Sequence, residues 1–262
     1  MNSDFLARYA GTGRLYGRAG LQRLAVAHVA VVGLGGVGSW AAEALARSGV
    51  GALTLIDMDD VCISNTNRQL HTTTGTLGQP KVEALRERLQ SINPDCRICT
   101  DRRFYTAATA TDIFSRLPAH ARIVDATDGL AGKCHLIAEC RARRIPIVVS
   151  GGCAGKRDGT AIRVTDLSVT QNDPLLKFVR KRLRQTHGFP RNGKKFGIPC
   201  AWSPEPSAGD PDGCSATLAG TLEATDNLRP NCEWGYGTAA FVTGAFGLAT
   251  AGVVVNAIAT GA

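Results

Sequence analysis

The sequence lacks the features that mark exported and disulfide-bonded proteins. Its first twenty residues contain arginines and glycines but no apolar core of signal-peptide length. Its nine cysteines are an odd, scattered set rather than a disulfide framework. Such a pattern is typical of reduced thiols in the cytosol. We therefore expect a cytoplasmic protein.

A second cysteine pair is also missing. Cys96 and Cys99 form one Cys-x-x-Cys motif, but a structural zinc site of this kind needs two such pairs. None of Cys200, Cys214 and Cys232 supplies the second pair, so we expect no structural zinc.

Charge is absent from the end of the chain. No charged residue follows Glu233, and residues 239–259 are apolar enough and long enough to cross a bilayer. Gly244, Gly247 and Gly252 interrupt this run, and small residues at such spacing favour close helix packing within a fold or a dimer interface. Membrane association through this segment is the less favoured alternative.

The 262 residues, 44% of them hydrophobic, predict a single domain over residues 1–262. Strand-like and helical stretches alternate from residue 29 to residue 149, which predicts an α/β fold with a doubly wound, mainly parallel, Rossmann-like sheet. We assign the nucleotide-binding core to about residues 19–150 and a substrate-side elaboration to about residues 151–262. The net charge of +8 favours a polyanionic partner.

A glycine-rich turn joins the first predicted strand to an alanine-rich helix. A turn of this kind lets a pyrophosphate approach the backbone and the helix N-terminus, and an acidic residue about 20 positions later, here Asp57, binds ribose hydroxyls. By itself the pattern fits a nicotinamide dehydrogenase as well as an ATP enzyme. The glycines of the turn are Gly33, Gly35, Gly36 and Gly38.

Polar residues after Asp57 favour ATP. Asp59, Asn67 and Arg68 lie in the loop that follows, and Lys81 begins the next predicted helix. Converging cations suit the charge that develops on departing pyrophosphate, whereas a dehydrogenase has no need of them. The alternative is that Arg68 and Lys81 are solvated surface residues.

Asp128 follows another predicted strand, at the sheet edge where doubly wound folds bind ligands. Its carboxylate would hold an Mg²⁺ ion that bridges the phosphates. The structural alternative is that Asp128 caps the next helix.

These motifs resemble the ThiF/MoeB class of ubiquitin-activating-type adenylyltransferases. The match includes Arg14-Leu15-Tyr16-Gly17, GLGGVGSWAAEALARSGVGALTLIDMDDVCISNTNRQLH from residue 33, VTDLSVTQNDPL from residue 164, and NCEWGYG from residue 231. The resemblance implies that Arg14 reaches across a homodimer interface into the partner's site. It implies contacts to ATP or its metal from Gly35, Asp57, Asn67, Arg68, Lys81 and Asp128. Gly129 and Lys133 depart from the class, which usually has Asn or Ser and often Arg there.

Within the class, the resemblance is strongest to a branch that acts on tRNA. It implies ATP-dependent dehydration, by cyclisation, of threonylcarbamoyladenosine beside the anticodon, through an acyl-adenylate. Arg14, Arg68, Lys81 and Asp128 would be the catalytic residues. In some members a cysteine at the position of Cys232 accepts sulfur, which would imply a cysteine desulfurase partner. A monovalent cation is a further ligand that we consider.

A basic segment favours RNA. Residues 177–195 contain eight Lys or Arg residues and no acidic residue, and side chains three or four positions apart share a helix face that can follow a phosphate backbone. The alternative is an ordinary solvated helix face. The candidate RNA-binding residues are Lys177, Arg180, Lys181, Arg184, Lys194 and Lys195.

Three other functions compete with this interpretation. The first is adenylation of the C-terminus of a small sulfur-carrier protein, against which the missing zinc pairs and the basic segment argue. The second is a non-catalytic, ATP-sensing RNA-binding or sulfur-relay platform. The third, a nicotinamide dehydrogenase, does not account for Arg68 and Lys81.

Overall fold

The computed structural model describes residues 1–208 and 237–261. Cys214 and Cys232 lie outside the described residues, so the predicted sulfur-accepting role of Cys232 stays a prediction. Seven strands form one sheet. They are β1 (His28–Val32), β2 (Ala52–Ile56), β3 (Arg97–Asp101), β4 (Arg122–Asp125), β5 (Ile147–Ser150), β6 (Arg163–Asp166) and β7 (Pro199–Trp202).

Helices cover both faces of the sheet. They are α1 (Ser3–Arg8), α2 (Ala10–Val26), α3 (Gly36–Arg47), α4 (Lys81–Ile92), α5 (Ala107–Ser115), α6 (Leu130–Arg143), α7 (Pro174–Thr186) and α8 (Ala240–Thr260). The helices α5, α6 and α7 cover one face, and α2, α3, α4 and α8 cover the other. The β-branched and leucine side chains of the central strands alternate between these two cores, as a sheet buried on both sides requires.

The strand order is β3-β2-β1-β4-β5-β7-β6, and every neighbouring pair is parallel except the antiparallel pair β6 and β7. The order reverses direction between β1 and β4, and the crevice beyond the carboxyl ends of these two strands is where open α/β sheets bind ligands. The predicted doubly wound, mainly parallel fold is confirmed.

Two parts of the architecture differ from the sequence expectation. No strand was predicted in the proline- and glycine-containing residues 188–208, yet β7 forms there and lies between β5 and β6. Its proline stands at the first strand position, where no ladder hydrogen bond is lost, so a proline-rich composition did not exclude a strand. The N-terminal helices α1 and α2 were not predicted either; α1 has only six residues, and α2 contains four glycines, which are poor helix formers.

The apolar C-terminal segment forms α8, which packs inside the fold. A Cβ atom on Gly247 would lie 2.5 Å from the carbonyl oxygen of Val37, and one on Gly244 would touch Trp40. These glycines therefore let α8 approach α3 closely. α8 is long and apolar enough to span a membrane, yet 56% of its most apolar stretch is buried, as in the core helix of many folds.

Candidate nucleotide-binding site

The glycine turn after β1 has two glycines that the fold itself requires. Gly33 adopts φ +85°, a left-handed conformation that side chains rarely tolerate, and its N–H donates to the carbonyl of Ile56. A Cβ atom on Gly38 would lie 1.8 Å from the carbonyl oxygen of Gly33. The turn can close onto α3 only because both positions lack a side chain.

Gly35 and Gly36 have a different environment from that pair. Gly36 is constrained by α8, because its Cβ atom would lie 2.9 Å from Cγ2 of Thr243. Gly35 is not constrained: the nearest atom to its Cβ position is Nε2 of Gln69, at 3.9 Å. Packing within the described protein therefore does not explain why a glycine stands at residue 35.

Gly35 is also the N-cap of α3, and no side chain within residues 1–208 or 237–261 caps this helix. The first amides of a helix have no partner inside the helix, and together with the helix dipole they attract an anion. An uncapped 12-residue helix beyond a glycine turn at the switch point is the usual geometry of a phosphate site.

Asp57 follows β2 and is largely buried. Its Oδ2 accepts from the N–H of Leu34 at 2.6 Å and its Oδ1 from the N–H of Asp59 at 2.8 Å. Burial raises the pKa of Asp57, whereas the charge of Lys81 and the two N–H donors lower it. Each carboxylate oxygen keeps capacity for another donor such as a ribose hydroxyl.

Lys81 is buried and forms an ion pair with Asp59. It opens α4 and is only 5% exposed, and its Nζ lies 3.0 Å from Oδ2 of Asp59, whose own side chain is 51% exposed. The alternative that Lys81 is a solvated surface residue is therefore wrong. A buried ammonium with one exposed partner can exchange that partner for a phosphate.

Arg68 is half-buried and is tied to its own loop. Its Nη1 donates to the carbonyl of Ser64 at 2.7 Å and to Oδ1 of Asn67 at 2.9 Å. Its own carbonyl accepts from Nε1 of Trp40 and from Oγ1 of Thr243. These bonds link Arg68 to α3 and α8, the two helices beside the glycine turn, so it is not a freely solvated residue either.

Asn67 lies at the same edge. Its Nδ2 donates to the carbonyl of Thr238 at 2.8 Å, which joins the loop to the residues just before α8. Nothing in the sequence singled out Thr238 or Thr243, because their partners are 171 and 175 residues away along the chain.

Asp128 lies three residues after the end of β4. Its side chain is accessible to solvent, and desolvation by the surrounding protein raises its pKa against the opposing charges of Lys133 and Lys81. The alternative that Asp128 caps α6 is wrong, since the N-cap is Gly129 and the side chain of Asp128 accepts no cap bond from that helix. Asp128 is therefore available to a ligand.

Below Asp128 lies a buried ion pair that the sequence did not reveal. Nζ of Lys133 and Oδ2 of Asp125 are 2.9 Å apart, and both side chains are fully buried. Oδ1 of Asp125 accepts from the backbone N–H and the hydroxyl of Thr127. Lys133, where the class often has Arg, therefore has a structural role in this chain: it fixes the segment that presents Asp128.

A magnesium ion bound with ATP fits Asp128. Among the described residues no group of three His, Cys, Asp or Glu side chains could form an all-protein metal site. Mg²⁺ usually takes one or two carboxylates and completes its shell with phosphate oxygens and water, and an accessible Asp128 above a phosphate-binding turn meets that need.

The six basic residues predicted to contact RNA do not form one open surface. Arg180 donates to Oγ1 of Thr170, and the guanidinium of Arg184 lies 5.1 Å from the centre of the Phe196 ring. These two side chains are half-buried, so the predicted common face on α7 is reduced to Lys177 and Lys181. Lys194 and Lys195 are exposed in the loop that follows. RNA contact by any of the six stays a prediction.

We call the glycine turn after β1, together with Asp57, Arg68, Lys81 and Asp128, the nucleotide cradle. Arg14 is exposed on α2, away from the cradle of the same chain. Oη of Tyr16 donates to Oδ1 of Asn256, whereas the cradle contacts α8 at Thr243. These two positions on α8 are 13 residues apart, which corresponds to about 20 Å along a helix. Tyr16, two residues after Arg14, therefore contacts α8 at a point about two-thirds of the length of α8 away from the contact between α8 and the glycine turn.

The family assignment agrees with this geometry. The model of the ThiF family matches residues 9–260. A match over nearly the whole chain, together with the parallel sheet and the phosphate-binding turn, shows that the chain belongs to the ThiF family.

Particular relatives narrow the comparison. The chain is 45% identical to tRNA threonylcarbamoyladenosine dehydratase of Escherichia coli over 92% of this chain and 89% of that protein. A crystal structure of the E. coli tRNA N6-threonylcarbamoyladenosine dehydratase TcdA in complex with ATP superposes with a TM-score of 0.85, at 40% identity over 99% of this chain and 97% of that one. Molybdopterin-synthase adenylyltransferase of Salmonella typhimurium is 38% identical over 60% of this chain and 60% of that protein.

Proposed function

We propose that this chain is an ATP-dependent enzyme that dehydrates threonylcarbamoyladenosine in tRNA, beside the anticodon, through an acyl-adenylate. The observation that carries the proposal is the uncapped N-terminus of α3 behind Gly35, with Lys81 and Arg68 beside it. The relatives named above support the choice of substrate.

In the first step the threonyl carboxylate attacks the α-phosphorus of ATP, and the bond from that phosphorus to the bridging oxygen breaks. Pyrophosphate leaves with the electron pair. Arg68 and Lys81 stabilise the charge that develops on it, and Asp128 would hold the Mg²⁺ that accompanies the nucleotide. Asp57 would fix the ribose, and the α3 amides the phosphates.

In the second step a nitrogen of the same modification attacks the activated carbonyl. The bond from the carbonyl carbon to the adenylate oxygen breaks, AMP departs with that oxygen, and the nitrogen loses a proton. The net change is the loss of one water. Because both reacting groups belong to one side chain, proximity supplies much of the rate, and no cysteine nucleophile is required.

We include a homodimer in the proposal. Arg14 is exposed on α2, whose contacts with α8 lie far along that helix from the cradle, so a second copy would have to bring this guanidinium to the phosphates. The ThiF/MoeB resemblance supports the same arrangement. Arg14→Ala mixed with Arg68→Ala would then regain activity in heterodimers that contain one intact site.

The tRNA would lie against the exposed lysines of α7 and of the loop after it. Lys177 and Lys181 stand one and two turns into this helix, and phosphate contacts of this kind position RNA without reading its sequence. We place the reaction in the cytoplasm, where tRNA is found. Sulfur transfer from a desulfurase to Cys232 and a monovalent cation are not needed by this mechanism.

Activation of a sulfur-carrier protein is the second candidate, favoured by the similarity to molybdopterin-synthase adenylyltransferase. It would use the same nucleotide cradle with a protein C-terminus as the carboxylate. Pyrophosphate release in the presence of modified tRNA or of a carrier protein separates the two candidates. Stimulation by the carrier alone would reject the tRNA proposal.

Mass spectrometry of tRNA nucleosides is the test of the reaction itself. We expect incubation with enzyme and ATP to convert threonylcarbamoyladenosine into a nucleoside lighter by one water. Unmodified tRNA and the Arg68→Ala variant are the controls, and neither should yield that product. If the enzyme is folded and binds ATP but the nucleoside remains unchanged, the proposal is contradicted.

A further inference from the structure

A second glycine turn stands at the substrate side of the site. It joins β5 to the following loop through Gly151 and Gly152, and its N–H at Gly151 donates to the carbonyl of Ala201 in β7. Cys153, the next residue, packs against the apolar cluster that contains Val37 from the first turn of α3. This turn therefore abuts the helix that forms the phosphate site.

Asp173 closes this turn from the other side. It is 3% exposed, and its two carboxylate oxygens have different partners. Oδ1 accepts from the N–H of Leu176 at 3.0 Å, which caps α7, and Oδ2 accepts from the N–H of Gly152 at 2.8 Å. A Cβ atom on Gly151 would lie 2.4 Å from Oδ2, so the turn and the carboxylate fit only without a side chain there.

The chemistry of this link exceeds what a cap requires. A serine, threonine or asparagine would cap α7 with one acceptor atom. A carboxylate provides two oxygens, and here the second joins α7 to a turn 21 residues earlier in the chain. Burial raises the pKa of Asp173, and the two N–H donors oppose that change, so both bonds help keep it ionised.

The position of α7 gives the link a direction. Lys177 donates its backbone N–H to the carbonyl of Asp173, and its side chain is exposed one turn from the buried carboxylate. A polyanion bound along α7 therefore acts on a helix whose N-cap residue, Asp173, is bonded to the Gly151–Gly152 turn.

We propose that Asp173 is a positioning residue that couples RNA binding on α7 to the placement of the Gly151–Gly152 turn at the reaction site. This inference rests on the proposed function, because it takes α7 as part of the RNA surface. Asp173 is buried and acts through the N–H groups of Gly152 and Leu176. It holds the substrate-side turn in one position when α7 is engaged.

Asp173→Ser is the variant that separates the two bonds. Serine keeps the acceptor for Leu176 but is too short to serve Gly152 as well. We expect the affinity for ATP and the KM for modified tRNA to stay within about twofold of wild type, while kcat falls by about tenfold or more. Asp173→Asn, which directs an amide toward one N–H, should lower kcat in the same way.

Asp158→Ser is the matched control. Asp158 likewise caps a helix, the three-residue helix Gly159–Ala161, by accepting from the N–H of Thr160. Its side chain is exposed, however, and among the described residues it forms no bond to the Gly151–Gly152 turn. It should leave kcat and KM at wild-type values. Equal kcat for Asp173→Ser and wild type would overturn the inference, as would parallel losses of ATP binding, RNA binding and kcat, which indicate a purely structural role.

Hydrogen exchange tests the coupling without any turnover. We expect an anticodon stem-loop transcript to slow amide exchange in residues 150–155 of wild type but not of Asp173→Ser, with equal slowing on α7 in both. Slowing of both regions in both proteins would overturn the coupling while leaving the reaction intact. Absence of dehydration by wild type with the exchange difference present would reject the proposed function alone.

Discussion

Two helices of this fold, α3 and α7, begin beside glycine turns, and their N-termini are capped differently. α3 begins at Gly35 with no side-chain cap, whereas α7 begins behind the buried carboxylate of Asp173. The N–H of Leu176 in the first turn of α7 donates to Asp173, whereas among the described residues no side chain accepts from the first amides of α3. An open N-terminus is a place for an external anion, and a closed one is part of the scaffold.

The two glycine turns differ in the same sense. Gly151 is excluded from carrying a side chain by the protein's own Asp173, while at Gly35 the described protein leaves the Cβ position open. A glycine whose side-chain space is filled by the protein serves the fold. At Gly35 the vacant space lies beside the open N-terminus of α3, where it leaves room for a ligand. This combination favours α3 over α7 as the phosphate site.

The largest effect should come from the scaffold on the nucleotide side. Lys133→Met would leave the buried Asp125 carboxylate without its cation, and we expect a loss of about 3–5 kcal/mol in the free energy of unfolding, measured by chemical denaturation. The double variant with Asp125→Asn should recover much of that loss. If Lys133→Met lowered the free energy of unfolding by less than about 1 kcal/mol, the Asp125 carboxylate would not be an unpaired buried charge in the variant, which would contradict this prediction.

Removal of Arg68 should affect chemistry with little effect on folding. Arg68→Ala would lose a cation at the departing pyrophosphate, and we expect turnover to fall by about 10²–10³-fold with a far smaller change in stability. Arg102→Ala is the matched control, because Arg102 pairs with Asp60 on the surface nearby. Similar turnover for the two variants would remove Arg68 from the reaction.

The two kinds of glycine can be separated by alanine substitution. Gly35→Ala should change the free energy of unfolding by less than about 0.5 kcal/mol yet weaken ATP binding about tenfold, because the methyl group enters the ligand's space. Gly38→Ala should instead disrupt the turn, since its Cβ meets a backbone oxygen. Calorimetric titration with ATP and denaturation together give the comparison, and unchanged ATP affinity in Gly35→Ala would contradict it.

The smallest effect concerns the outer face of α7. Lys177→Ala should weaken tRNA binding modestly and lower the slope of log K against log salt concentration by about 1, without altering ATP affinity. Arg86→Ala on α4, where Arg86 pairs with Glu83, is the control with no expected change in slope. An unchanged slope for Lys177→Ala would move the RNA off this helix.

Much of the fold could be predicted from the sequence, because the strands of the nucleotide half are short β-branched runs bounded by glycines and acids. The alternation of strands and helices over residues 29–149 and the helix that begins at Lys81 followed from local pattern alone. The strand β7 did not, since it is recognisable only by its pairing with β5 and β6. Local composition does not encode such distant partners.

The site divides in the same way. Gly35, Asp57 and Asp128 follow strand ends, and strand ends in a parallel sheet converge by topology. Lys81 opens α4, and its place in the site depends on the loop that returns to Asp59. The pairs that fix them do not follow from pattern: Asp125 with Lys133, and Asp173 with Gly152, join residues whose burial and reach only the folded chain defines. Likewise, two arginines of α7 turned inward to Thr170 and Phe196.

The central claim is that ATP bound over the open end of α3 activates a carboxylate as its adenylate. Modified tRNA whose threonyl carboxylate carries ¹⁸O tests it directly, by mass spectrometry of the nucleotide products. Attack on the α-phosphorus predicts one ¹⁸O in the AMP released and none in pyrophosphate. Unlabelled AMP, or label in inorganic phosphate formed together with ADP, would contradict the account.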